Sequence, residues 1–531
     1  FETKRNQLFM LAFGEAEFGK LQADGMIEGA GLDDDDDFYT EGRLAFYLKG
    51  RVAGKYLMTA AFDSGREDVG DLFSDIDGEA EERLLTNLDP DRYYPVYGDD
   101  STVHYDVESQ GKFYLALDSD SIHLLVGNYP LSLNQTELAA YQRTLYGARF
   151  VYRSASKTEF GEPDTQVVLF AADVSYTHVR DELRATGGSL YYLSHRDVVE
   201  GSEEVTLVVR DQNTGLVLSR RRQRPNADYT VKYPEGRLMF HRTISSVADG
   251  VSLFDRDTLS GNSVFIQVDY ETVLDSFEKT ASGGRVSRSI GDRALVGGTA
   301  ISDELAGGTY DLQALDAEVR LGQGSKLKAE FADSEGADSL TYVSDDGGLT
   351  YSEVAISGTE QGSAWKLAAE LDVGEWFDRP GRYRVNMYYK ELEPGFFSSG
   401  NFLEQGTEKL GFDGAFDLTG RDTLRVRFDN EDRTDPSGSP AASTESTIGS
   451  ALWQHQRKRW RLSMEYFTDE VEDGSGNSIR DAQFGSARFH SELTDKLTGY
   501  LEHQQTLSGT SNDQSSLGLA YQVLPSLALE L

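Results

Sequence analysis

The chain has 531 residues, 38% of them hydrophobic, and carries 90 Asp and Glu against 51 Lys and Arg, a formal net charge of -39. So acidic a surface repels the phosphates of nucleic acid and suits divalent cations or cationic partners better. Cysteine is absent, which removes disulfides, thiolate zinc sites and a cysteine nucleophile, and no run of about 18 apolar residues exists to make a transmembrane helix.

The chain opens FETKRNQLF without a basic-then-apolar leader, so the expectation is a removed signal peptide or a start inside a longer polypeptide. An apolar strand is predicted over residues 8–18, followed by an acidic loop that holds Asp33, Asp35 and Asp37. The next stretch, 44–62, reads LAFYLKGRVAGKYLMTAAF. Its even positions are all apolar or glycine, whereas Lys49, Arg51, Lys55 and Thr59 fall on odd ones. Strand side chains point alternately to opposite faces, so this pattern predicts one long stave with Leu44, Phe46 and Leu48 facing lipid and Lys49, Arg51 and Lys55 facing a lumen. At about 3.3 Å per residue the stave would reach about 60 Å, enough to cross a bilayer at a tilt of about 45°. The alternative is a long soluble hairpin bending at Gly50 or Gly54.

Residues 63–110 form a large excursion with a weakly helical piece at 79–88 and a tyrosine-rich end, RYYPVYGDDST. A tight hairpin is predicted from 112–117 and 122–126, and alternation continues over 138–152 and 166–174. Beyond it, short strands at 205–210, 216–221, 229–233, 237–241 and 264–268 are broken by Asn213, Gly215, Pro225, Asn226 and Gly236. Such spacing predicts a small β-sandwich-like insert over 189–270, placed either as a plug in a lumen or outside the membrane.

In the second half, alternating strands meet at short turns around GQGS, TGRD, QRKR, TDK and LPS, and longer polar loops at 332–362, 393–408, 431–447, 469–481 and 506–515 separate the hairpins. Leu424, Val426 and Phe428 alternate with Arg425 and Arg427, and Trp460, Leu462 and Met464 with Arg461; the leucine set is expected to face lipid and the arginines the lumen. Short turns at one end and long loops at the other are what a transmembrane barrel predicts. The fold class expected is therefore all-β, a large antiparallel transmembrane β-barrel of roughly 18 to 20 or more strands. Residues 1–188 form its first part, 189–270 the insert and 271–531 its second part. A ring this wide must hold water or a plug.

Candidate chemistry is sparse. Asp33, Asp35 and Asp37 offer hard oxygens to a structural calcium ion, but the run lacks the glycine and distal glutamate of an EF-hand loop and reads first as solvated charge. No other cofactor is expected. Arg220, Arg221, Arg222 and Arg224 form one dense basic cluster, to be read as the wet end of a hairpin or as a holder of an anionic ligand. The eight histidines show no HExxH spacing, and no GxSxG or P-loop is present, so no catalytic residue is assigned and an enzyme is not expected.

Two stretches carry a resemblance. GRLAFYLKGRVAGKYLMTAAFDSG, LDPDRYYPVYGDDST and QGKFYLAL, in that order, resemble a family of very large proteobacterial outer-membrane proteins in which repeat domains precede a C-terminal barrel. GSEEVTLVVRDQNTGLVLSRRRQRPNADYTVKYPEGRLMF is similar to an element of the same family, and its ADYTVKYPEGRLMF part also resembles pieces of the type 9 secretion translocon barrel. The resemblance covers roughly residues 44–270. It implies location and architecture and transfers no catalytic residue. The chain ends LALEL, without the terminal aromatic usual for barrel assembly, which leads one to expect further strands beyond Leu531 or a trimmed end.

Together these readings place the chain in the outer membrane of a Gram-negative bacterium, among lipid and lipopolysaccharide, with envelope or secreted proteins as further partners and no nucleic acid. The expected role is a pore or export conduit whose insert gates or docks. The alternative is a non-conducting surface scaffold or adhesin that presents aromatic loop residues such as Tyr93, Tyr94, Tyr97, Phe396 and Phe397. A secreted soluble β-protein is the third reading.

Overall fold

The computed structural model describes residues 8–20, 38–73, 112–174, 176–210, 217–248, 262–272, 279–305, 308–336, 340–353, 361–398, 404–434, 443–509, 511, 513–524 and 527–530. Its main feature is a 22-stranded sheet in which every ladder is antiparallel. One member, Glu67–Asp68, is a two-residue edge on Phe38–Val52. The other strands pair strictly with their neighbours in the chain, from Phe9–Lys20 to Leu527–Glu530. The exceptions are two steps that pass over strands of another sheet: Lys326–Glu335 bonds to Gln361–Asp372, and Thr165–Val174 to Lys279–Ile290, although 104 residues separate the latter two. Residue 174 lies opposite 279, so an inserted unit leaves and re-enters the wall at one point and leaves the sheet unbroken.

The stretch 44–62 is a correction to the sequence reading. It is a hairpin, Phe38–Val52 and Tyr56–Asp63, and not one stave. Ala53 and Gly54 turn the chain with φ of 52° and 69°, the left-handed region that glycine enters freely and alanine at a cost. Val52 pairs with Tyr56, Gly50 with Met58 and Phe46 with Phe62. Directly opposed residues share a face, and a loop of three residues keeps even positions opposite even ones. The alternation therefore passes through the turn uninterrupted, which is why the sequence reads as a single strand. Phe38–Val52 alone has 15 residues, about 50 Å at the usual rise, and still crosses a bilayer when tilted.

Connections divide by end. The turns at 53–55, 119–121, 291–293, 418–421, 457–459 and 493–496 lie at one end of the wall, together with the longer connections 154–164 and 373–382. The longest connections, 64–112, 175–278, 336–360 and 393–406, lie at the other, together with the short turn 474–477. Several loops are shorter than expected from sequence, the 469–481 loop shrinking to 474–477 because both flanking strands run further.

The inserted unit is two-layered. One layer orders Val217–Arg222, Glu204–Arg210, Asn262–Thr272, Thr177–Arg184, Leu340–Ser344 and Ser352–Glu353; the other is Leu190–Tyr192, Arg237–Phe240 and Tyr229–Lys232. Its boundaries differ from 189–270. It begins at Thr177, ends at Thr272 and takes in Leu340–Ser344, which comes from the connection between Lys326–Glu335 and Gln361–Asp372 and lies parallel to Thr177–Arg184. Short-range turn signals could not reveal a strand donated from 70 residues downstream. Between the layers lies a core that includes Val179, Leu183, Val205, Leu207, Ile266, Val268, Leu238 and Phe240.

Candidate lumen constriction and insert interface

The two faces of the wall differ in chemistry. On one, Leu169, Val286, Leu315, Trp365, Leu367, Leu410, Phe428, Met464 and Tyr466 stand exposed, forming the apolar outer band expected of a membrane-spanning wall. The opposite, inner face carries an apolar cluster in its first half. Tyr129, Leu131, Tyr141, Leu145, Phe170, Ile301, Tyr310 and Leu312 belong to it, and Tyr141 stacks on Phe170 with ring centroids 5.8 Å apart.

Two connections fold into that cluster. Leu138 and Ala139, between Ile122–Leu133 and Tyr141–Arg153, are buried in it, as are Phe396 and Phe397. Tyr310 Oη donates to the Phe397 carbonyl at 3.2 Å. Phe396 and Phe397 are therefore core, not the surface-binding aromatics expected from a polar loop; Pro394 and Gly395 turn the chain inward and bury both rings.

The 134–140 connection also carries a charge that ties distant strands together. Backbone N–H groups of Glu137 and Leu138 donate to Glu330 Oε2 at 2.9 and 3.0 Å, and the Glu137 carboxylate pairs with Lys366 and, at 2.6 Å, with Lys390. Five wall strands lie between Tyr141–Arg153 and the strand holding Lys366, so the connection crosses the interior. Lys366, Lys390 and Lys409 sit directly opposite one another on three adjacent strands. Like charges so opposed repel, and the carboxylates of Glu137, Glu404 and Glu431 offset the repulsion, Lys409 lying 3.2 and 3.1 Å from the last two. Burial pushes the Glu137 carboxyl up, but the Lys390 and Lys366 ammoniums override this and hold it well below the usual carboxylate range.

Beside this constriction the inserted unit is held by ions. Arg143, on the wall, reaches Asp303 on the wall at 2.7 Å and Glu271 on the insert at 2.9 Å, with all three side chains nearly inaccessible. Tyr141 Oη donates to Asp303 at 2.8 Å, and Thr144 Oγ1 to the Ser202 carbonyl at 2.9 Å. His178 Nδ1 lies 3.2 Å from Glu271, and Arg180 pairs with Asp269. Burial disfavours the imidazolium, yet the Glu271 carboxylate, hydrogen-bonded to Nδ1, and the Asp269 carboxylate, 3.5 Å from Nε2, win and hold His178 up at about 9. Burial pushes Asp181, Glu203 and Glu204 up to about 7. The alternation within Thr177–Arg184 and Asn262–Thr272 explains the arrangement. One parity puts Val179, Leu183, Ile266 and Val268 in the sandwich core, and the other puts His178, Arg180, Glu182, Asp269 and Glu271, all buried, on the opposite face.

The residues singled out from sequence fall as follows. Lys49 is on the inner face opposite Thr59. Arg51 is exposed beside the turn, and Lys55 is in the turn itself, with its ammonium 5.4 Å from the Tyr56 ring centre. The lumen assignment of Lys55 is thus corrected, because the chain reverses at residue 54. Leu44, Phe46 and Leu48 share the outer face, where Phe46 stacks on Phe62 and Phe62 on Phe73 of the following segment. Leu424, Val426 and Phe428 lie on the face opposite Arg425 and Arg427, and Arg427 pairs with the buried Asp429. Arg461 donates to Gln456 at 3.3 Å on the side of Ser463 and Glu465. Asp33, Asp35 and Asp37 lie outside the described residues, as do 79–88 and Tyr93, Tyr94 and Tyr97. Among the described residues no group of three or more His, Asp or Glu is placed to hold a metal ion.

Sequence reasoning missed Glu137, Arg143, His178, Glu271 and Asp303. A signal existed for one of them, since Arg143 interrupts an otherwise apolar inward set, Tyr141, Leu145 and Phe170. The others needed their partners to be known.

No family model and no curated protein matches the chain. Solved structures do align with it along most of its length. The P pilus usher (PapC) translocation pore is 12% identical, with 92% of this chain and 91% of that chain covered and a TM-score of 0.32. OccD1 (OprD) is 9% identical, with 95% and 96% covered and a TM-score of 0.30. The ferric enterobactin receptor of Pseudomonas aeruginosa is 9% identical over 99% of this chain and 68% of that chain, with a TM-score of 0.25.

Proposed function

We propose that this chain is a gated conduit across the outer membrane of a Gram-negative bacterium, with the inserted unit as its gate. The observation that carries the reading is the chemistry of the interface between insert and wall. The insert turns a charged sheet face outward from its own core, and the contacts named above are Arg143 with Glu271 and Thr144 with Ser202. A polar interface of this kind separates without exposing apolar surface, and the freed ions regain their hydration. The wall is wide enough that its interior must hold water or a plug, and its apolar outer band suits lipid and lipopolysaccharide as surroundings. The resemblance to large proteobacterial outer-membrane proteins points to the same location. The acidic loops remain candidates for structural calcium.

The test is single-channel recording in planar bilayers with the intact chain and with residues 177–272 replaced by a short linker, which the adjacency of 174 and 279 permits. A rise in open-state conductance on removal supports the gate. Absence of conductance in both forms rejects the conduit. A second reading, a non-conducting scaffold that engages envelope or secreted proteins, is favoured by the apolar closure of the first half by Leu138, Phe396 and Phe397, and it is the reading that survives that negative result.

A further inference from the structure

From the free edge of the inserted sheet we infer a docking site for an acidic polypeptide segment in extended conformation, received by strand addition on Val217–Arg222. The inference rests on the conduit reading and gives its passenger or partner a chemistry. Val217–Arg222 is the last strand of its layer. It pairs with Glu204–Arg210 on one side, Arg221 opposite Leu207 and Arg220 opposite Val208, and among the described residues no strand lies on its other side. An edge of this kind presents unpaired backbone N–H and C=O groups, to which an extended chain adds through main-chain hydrogen bonds while alternate side chains supply selectivity.

The side chains define that selectivity. Every residue from Leu218 to Arg222 is exposed. Arg220 and Arg222 point to one face and Arg221 to the other. Arg222 is held by Glu204 at 2.8 Å but stays half exposed. Arg221 makes no salt bridge among the described residues. Arg220 stands among Arg180, Arg210, Glu137 and Asp269, which places it near the constriction, and two of these four neighbours share its charge. In a chain of net charge -39 such an island focuses acidic ligands that the rest of the surface repels. Residues two apart on a strand are about 6.6 Å apart on one face, so carboxylates at alternate positions of an incoming strand match Arg220 and Arg222. Charged edge residues also serve simply to repel stray strands, and that is the outcome the experiment must separate.

The probe is a fluorescent peptide alternating glutamate and valine over the length of the edge strand, titrated by polarisation into the full chain in detergent. The expected result is saturable binding at low salt that weakens at least about tenfold in the R220E/R222E variant. Binding should weaken comparably when a central proline replaces one valine of the peptide at unchanged charge. Equal binding of the proline peptide overturns strand addition. Equal binding by R220E/R222E overturns the site, and no binding by the unaltered chain overturns the inference as a whole. The peptide comparison is independent of how the variant folds. Conductance of the unaltered chain reports separately on the conduit.

Discussion

The inner face of the wall is built in two styles. From Ile122–Leu133 to Thr407–Asp417 a large apolar cluster, closed by residues 138, 139, 396 and 397, shares the face with buried ions, Arg143 with Asp303, Arg285 with Asp316 and the row Lys366, Lys390 and Lys409 with Glu137 and Glu404. From Asp422–Arg433 onward it is lined by charge pairs, Arg427 with Asp429, Arg480 with Asp469 and Arg488 with Glu502, and its apolar cluster shrinks to Ile448, Phe467 and Phe484 with Ala482 packed against them. An apolar interior excludes water and stabilises by burial, whereas rows of paired ions keep water nearby. One wall thus carries two kinds of interior, a large packed cluster with nearly inaccessible ions in one half, and in the other small apolar contacts among ion pairs whose arginines stay partly exposed.

Several substitutions break or sharpen that contrast. The largest effect is expected for Arg143→Met, which leaves the buried Asp303 with no cation and only the Tyr141 hydroxyl, and leaves Glu271 to His178 alone. Removing one partner of such a set costs about 3 to 5 kcal/mol, read as a lower melting temperature and faster proteolysis within the insert. Unchanged proteolysis would show that the ion set does not hold the insert.

Next, Phe46→Arg on the outer face should cost about 2 to 4 kcal/mol of membrane-folded stability, with Lys49→Asp on the inner face costing less than about 1 kcal/mol. Urea titration of the protein refolded into lipid vesicles measures both, and equal tolerance would return the hairpin 38–63 to a soluble setting. Glu137→Gln comes third. Lys366 and Lys390 lose their shared carboxylate, and the 134–140 connection should loosen at a cost of about 1 to 3 kcal/mol. Larger single-channel currents are expected from it, whereas the same change at Glu502 in the charge-lined half should leave currents nearly unaltered.

The smallest effect is the pH dependence of the insert. A histidine raised to about 9 from 6.5 contributes stability that is complete below pH 6.5 and lost as pH rises through 9. Asp181, Glu203 and Glu204, raised to about 7, lean the same way, since their neutral forms are favoured in the fold and their contribution is lost as pH rises from about 4 to 7. Hydrogen exchange in 262–272 should therefore accelerate from pH 6.5 to 9 beyond the intrinsic rate change, by on the order of 1 kcal/mol in protection. In His178→Gln the excess acceleration should shrink, and an identical profile in that variant would assign the pH response elsewhere.

Much of the wall is legible in the sequence. Strand period, the TGRD, QRKR and TDK turns and the polarity of Leu424 to Phe428 are local, and a period of two needs no knowledge of the partner strand. The same locality misled at residues 44–62, because a three-residue turn preserves parity and hides a reversal. It misled again at Phe396 and Phe397, where a polar, glycine-bearing stretch reads as loop surface but packs inward.

What the sequence determined by itself was the class of structure, its two-sided strands and the existence of an inserted β-unit, since each follows from spacing along the chain. Only the tertiary structure decided which carboxylate meets which cation. Arg143 gains Glu271 from 128 residues away, Lys390 gains Glu137 from 253, and Thr177–Arg184 gains a parallel neighbour from 340–344. Charges act through space, and 90 acidic residues offer too many equivalent partners for order along the chain to choose among them.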